Sequence, residues 1–192
     1  MSKSEIFLNN YLEHLTSLIS MLDREAIGRF ADLLLDSRES GSTTFFLGNG
    51  GSAATASHFA NDVSLSSRQF KKPFRAISLC DNQAVITAIA NDDGYENIFV
   101  QQLQTLAKAG DTIVCISASG NSKNLAKAID YAKEHGIYVV GLTAFNGGYV
   151  KENCNLNIHV STKVGEYGPA EDLHMVVCGL LGSYFREKFL NG

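Results

Sequence analysis

The sequence carries no excess of basic charge: 16 Lys and Arg stand against 20 Asp and Glu, a formal net charge of −4, and the basic residues are scattered without a run. Phosphate backbones are bound through such an excess, so nucleic acid is not an expected partner. Proline is scarce, at 2 residues, and even with 17 glycines the two types make about a tenth of the chain. That is near ordinary usage and excludes collagen-like and disordered architectures. No apolar run approaches the roughly 18 residues of a spanning helix, and the opening MSKSEIFLNN lacks the charged, apolar and small segments of a secretion signal. A soluble, cytoplasmic protein without membrane contact is expected. The cysteines Cys80, Cys115, Cys154 and Cys178 form no C-x-x-C pair and no Cys/His finger spacing, which argues against a disulfide scaffold and against a structural zinc site built on thiolates. They fit buried thiols.

The 192 residues, 45% hydrophobic and 19% charged, suit a single domain, with a helical segment at 1–40 and an α/β core at 41–192. Residues 7–22 place Phe7, Leu8, Tyr11, Leu12, Leu15, Leu18, Ile19 and Leu22 at helical spacing, and a second helix is expected from Asp23 to Leu35. Strands are then expected at Thr43–Leu47, Arg75–Leu79, Thr112–Ser117, Ile137–Thr143 and Leu156–Val160. Between and after them helices are expected at Gln83–Ala90, Glu96–Lys108, Asn121–His135 and Ala170–Phe189. Runs such as IVCIS and IYVVGL are continuously apolar, as in a parallel sheet covered on both faces. The predicted fold is a three-layer, doubly wound α/β sandwich.

Ligands of open parallel sheets bind beyond the carboxyl ends of the strands, which directs attention to two loops. Gly48-Asn49-Gly50-Gly51-Ser52 leaves the first strand and opens a helix running through His58 and Asp62. Its glycines let the backbone approach a ligand, the helix start offers unpaired N–H groups, and Ser52 adds a hydroxyl. The G-x-G-x-x-G dinucleotide spacing fails at Ala53. Ser117-Ala118-Ser119-Gly120-Asn121-Ser122 leaves a central strand and opens another helix. One serine suffices for an N-cap; three in six residues make a nest of donors suited to a phosphate monoester. No P-loop lysine follows, so triphosphate hydrolysis is not indicated.

The stretches GNGGSAATASHFANDV, AIANDDGYENIF, ISASGNSKNLAKA, GLTAFNGG and AEDLHM occur in this order from about Gly48 to Met175. With them the chain resembles the sugar isomerase (SIS) domain family, and within it the phosphoheptose isomerases, which interconvert sedoheptulose 7-phosphate and glycero-manno-heptose 7-phosphate. The resemblance implies a five-stranded parallel sheet of flavodoxin-like type preceded by an N-terminal helix. It also implies a homotetramer with active sites at subunit interfaces and a phosphorylated sugar as substrate. Asn49, Gly50, Gly51, Ser52, Asp92, Ser117, Ser119, Asn121 and Ser122 are the expected substrate-binding positions.

Aldose–ketose isomerisation moves a proton between C1 and C2 through an enediol and needs a base and a hydroxyl-proton shuttle. In the family, His and Glu one helical turn apart, and Gln and His eight apart on the last helix, serve catalysis and in many members bind zinc. Here His58 is kept, Asp62 stands for the Glu, Glu171 for the Gln, and Gly179 for the second His. His58, Asp62 and Glu171 are therefore the expected catalytic residues, with Glu171 a candidate base. With one ligand gone and two changed in type, no metal ligand is assigned, and Zn2+ at His58, Asp62 and Glu171 stays an open alternative. His174 matches a family histidine and equally suits simple packing. Glu166 and Tyr167 depart from the family pattern, either to meet a different sugar or as an ordinary loop before Pro169. Gly179 keeps a second reading open: a catalytically altered or inactive sugar-phosphate-binding or regulatory protein.

Overall fold

Runs rich in β-branched and aromatic residues form five parallel strands in the computed structural model, which describes residues 1–66 and 72–190. They are β1 (Thr43–Gly48), β2 (Arg75–Ser78), β3 (Thr112–Ser117), β4 (Tyr138–Thr143) and β5 (Leu156–His159), in the spatial order β2-β1-β3-β4-β5. This is the flavodoxin-like order, with its reversal between β1 and β3. Every residue of β1 and β3 is buried, while the edge strand β2 has exposed positions.

Alternation along the strands builds two cores. Phe46, Val114, Ile116, Val140 and Leu142 face one side, where α1 (Lys3–Ser20), α2 (Arg24–Ser40), α3 (Gly51–Ser66) and α8 (Tyr167–Leu190) pack. Phe45, Leu47, Ile113, Cys115 and Val139 face the other, under α4 (Gln83–Asp92), α5 (Val100–Leu106), α6 (Lys123–Glu134) and α7 (Gly148–Asn153).

Several boundaries differ from expectation. Helix α1 starts at Lys3 because Ser2 and Glu5 form a capping box. The helix expected over 96–108 is a 3-10 turn at Tyr95–Asn97 followed by α5, and the break lets the adjacent Ile98 and Phe99 both enter the core. Helix α6 is capped by Ser122 rather than opening at Asn121. A short helix not among the expected elements, α7, runs from Gly148 after the left-handed Gly147. Pro169 is the third residue of α8, still within the first turn, where no intrahelical N–H bond is lost.

Helix α1 buries only Leu18; Phe7 is 65% and Leu12 62% exposed, so most of its apolar stripe has no cover within the chain. It is tied to α8 by Tyr11, whose hydroxyl donates to Asp172 at 2.5 Å. That bond pushes the phenol up to about 12, with burial and the carboxylate charge adding to it.

Candidate functional site

The reversal between β1 and β3 brings the glycine and serine loops side by side, since Gly48 pairs with Ile116 at the strand ends. Two residues outside the expected set lock them together. Asn49 Oδ1 accepts from Asn124 Nδ2 at 2.8 Å and from the Tyr95 hydroxyl at 2.8 Å, and Asn49 Nδ2 donates to Asn124 Oδ1 at 3.0 Å. Asn124 sits in the first turn after Ser122, and Tyr95 in the GYEN segment; polar residues so close to a loop already singled out were the available signal.

The serine loop is held in shape by its own bonds. Ser117 Oγ accepts from the Gly120 N–H at 3.0 Å and Ser119 Oγ from the Asn121 N–H at 3.4 Å. Gly120 has φ +68°, and a Cβ there would collide with the Gly147 carbonyl. Only glycines at this crossing let the turn after β4 press against the loop. Ser122 caps α6 without a side-chain bond, which leaves its hydroxyl available to a ligand at the helix start. Ser52 is buried at the start of α3.

The second half of the site lies where α8 crosses α3. A Cβ on Gly51 would stand 2.5 to 2.6 Å from the Glu171 carboxylate, so that acid rests on the first residue of α3, at the positive end of the helix. Glu171 and His58 line one depression of about 310 Å3 with Gly51, Thr55, Asp172 and Met175. His58 Nε2 is 3.2 Å from Asp62 Oδ2. Gly182 faces Asp62 closely: a Cβ there would stand 3.1 Å from Asp62 Oδ2, so the carboxylate would have to give by a few tenths of an ångström. Gly179 has open space on its Cβ side.

The structure thus joins His58 to Asp62, and Glu171 to the rim beside His58. It does not bring Glu171 into a metal-ligand group with them. Among the described residues the group whose donor atoms lie within 4.8 Å of one another is His58, Asp62 and Cys178. The alternative set of His58, Asp62 and Glu171 is thus not the group that the structure brings together. Nitrogen, carboxylate and sulfur donors together suit Zn2+ chemically. Cys178 is buried, and burial together with the Asp62 charge pushes its thiol up to about 12. Cys115 is also buried and Cys80 and Cys154 are half-buried, all as free thiols.

Other expected residues sit apart. Asp92 is exposed at the end of α4, accepting from Asn91 at 2.7 Å. Glu166 accepts from the Lys163 N–H at 2.9 Å and lies 3.4 Å from His14, while Tyr167 packs edge-on against Phe145. Both serve the start of α8. A larger depression, about 680 Å3, lies at the amino ends of the strands; its Asp111 is occupied by the N–H groups of Thr43 and Lys108.

His174 is fully buried, and neither ring nitrogen has a hydrogen-bond partner of normal geometry. Burial pushes it down to about 4; the Thr143 backbone pulls weakly upward and nearby His159 adds to the depression. A histidine held neutral in the fold but titrating near 6.5 when unfolded binds more protons in the unfolded state between those values. Stability is therefore full above pH 6.5 and falls as pH drops toward 4, with a slope approaching about 1.4 kcal/mol per pH unit. Denaturant melts of the parent and of His174→Gln across this range check it; equal pH slopes would refute the assignment.

The SIS domain family profile matches residues 7–144. A phosphoheptose isomerase of Campylobacter concisus is 40% identical over 130 residues, covering 68% of this chain and 69% of the relative. A probable phosphoheptose isomerase of Thermoplasma acidophilum is 36% identical over 93% of this chain and 97% of its own length. The solved phosphoheptose isomerase of Francisella tularensis superposes with a TM-score of 0.88 at 25% identity, covering 97% of this chain and all of that one (100%).

Proposed function

Because the chain belongs to the SIS domain family, and within it to the phosphoheptose isomerases, we propose that it interconverts sedoheptulose 7-phosphate and glycero-manno-heptose 7-phosphate. The observation that carries this reading is the double attachment of one short loop. Its Asn49 is bonded to Asn124 behind the serine loop, and its Gly51 bears the Glu171 carboxylate. An anion nest and an acid are thereby set on either side of the same few residues.

In this reading the phosphate lies at the start of α6, among the hydroxyls of Ser117, Ser119 and Ser122 and the Asn121 side chain. Gly50, Gly51 and Ser52 offer the backbone of the α3 start to the sugar, and Asn49 lines the wall between. Glu171 takes the C1 proton of the ketose, the C1–C2 enediol forms as the carbonyl oxygen gains a proton, and Glu171 returns its proton to C2. His58, oriented by Asp62, moves the hydroxyl proton between O1 and O2, so that the step balances without an outside donor. Asp92 is assigned to a site completed across a subunit boundary. The uncovered apolar stripe of α1, with Phe7 and Leu12, supports a homotetramer in which such boundaries exist. No described helix is long and apolar enough to cross a membrane, consistent with work on a free phosphosugar in the cytoplasm.

The non-catalytic binding-protein reading is not favoured, because relatives covering most of the chain are named as isomerases. Incubation with sedoheptulose 7-phosphate is expected to yield the aldose, and unchanged ketose would refute the proposal. Ser119→Ala and Ser122→Ala are each expected to weaken phosphosugar binding about tenfold, the value of a hydrogen bond to a charged group. Calorimetric titration checks this, and unaltered affinity in both variants would remove phosphate from the serine loop.

A further inference from the structure

We propose that Asp172 is a specificity-determining residue that accepts the sugar hydroxyl next to the reacting carbons, at C3, and that Tyr11 of α1 is its positioning residue. The inference rests on the isomerase reading and adds to that site a carboxylate which no step of the reading uses. Asp172 lines the same depression of about 310 Å3 as His58 and Glu171. Along α8 Met175 follows Glu171 by four residues and Asp172 by three, so both acids share the helix face that Met175 continues one turn further on.

An ionised carboxylate only accepts hydrogen bonds, and it has about four positions for them on two oxygens. The Tyr11 hydroxyl occupies Oδ2 at 2.5 Å, and among the described residues no donor bonds to Oδ1. An exposed aspartate on a helix is otherwise free to change rotamer. The bond from a second helix holds this one in place before a ligand arrives, which lowers the entropy cost of binding. Room for the phenol is made on α8 itself: a Cβ on Gly168 would stand 3.0 Å from the Tyr11 oxygen, so any side chain there would crowd it. The carboxylate keeps that phenol protonated, pushed up to about 12, and Tyr11 therefore stays a donor throughout the neutral range. In the proposed reaction Glu171 serves the carbons and His58 serves O1 and O2. The next hydroxyl along the sugar is at C3, and the free Asp172 Oδ1 beside Glu171 is the acceptor that suits it, through a charge-assisted bond.

Kinetics with sedoheptulose 7-phosphate and its 3-deoxy analogue test the pair. The parent is expected to prefer the full ketose by roughly 10- to 100-fold in kcat/KM, the value of a hydrogen bond to a charged group. Asp172→Ala should bring that ratio close to one by raising the KM for the full ketose while kcat is nearly kept. It should also melt near the parent midpoint, since Asp172 is exposed and alanine suits a helix. Tyr11→Phe keeps the ring and loses the donor, and its ratio should fall between the two. A bond that only ties α1 to α8 would slow both substrates alike and leave the ratio at its parent value. A parent that converts neither ketose overturns the isomerase reading and this inference with it. Turnover with a parent ratio near one, or a ratio that survives Asp172→Ala, overturns this inference alone, and a ratio unchanged in Tyr11→Phe overturns the part given to Tyr11.

Discussion

Glu171→Gln lowers turnover of sedoheptulose 7-phosphate about a thousandfold and leaves its binding nearly unchanged. The amide keeps the size and planar shape of the carboxylate, so its rest against Gly51 and the depression beside His58 are preserved. What it loses is the capacity to accept a proton from carbon, and positioned acid–base groups are worth roughly 100- to 10,000-fold. Steady-state kinetics should therefore show a fall in kcat at similar KM, the signature of an interaction used only in the transition state. Retention of most of the parent turnover would move the base elsewhere, with Asp62 and Asp172 the other carboxylates near His58.

Gly51→Ala is expected to slow the reaction about 100-fold without lowering stability. The new Cβ would stand 2.5 Å from Glu171 Oε2, so the carboxylate has to move by about an ångström, and displacements of that size cost on the order of 100-fold in rate. Folding is spared because the collision is with the end of a flexible side chain and Gly51 is not among the residues with positive φ. Alanine also suits a helix better than glycine, by up to about 1 kcal/mol. A thermal melt at or above the parent midpoint, together with the kcat loss, is the expected pair of results. Parent-like turnover would mean that the acid works from another position.

The layered fold was legible because the central strands announce themselves: IVCIS and the apolar core of IYVVGL have nowhere to sit except between two layers of helices. The site loops were legible for the same topological reason, since both leave strands flanking the order reversal. What escaped was set by contacts between distant segments. Asn124 and Tyr95 are unremarkable until Asn49 is seen between them. No helix was expected between β4 and β5, and the six-residue α7 is too short to show a helical period of its own. Cys178 fitted a buried thiol, and it is one; its approach to His58 and Asp62 depends on how α8 crosses α3, which no spacing in the sequence encodes. Helical periodicity did place α1, but not that its apolar stripe would stay uncovered within one chain.

The central claim is that a phosphosugar held at the switch point undergoes proton transfer between C1 and C2. Its most direct test is NMR of sedoheptulose 7-phosphate with the purified protein in deuterated water. Deuterium should enter at C1 of the ketose and C2 of the aldose as glycero-manno-heptose 7-phosphate accumulates, at a rate that falls about a thousandfold in Glu171→Gln. Substrate line broadening that shows binding, with neither isotope incorporation nor aldose, would contradict the account.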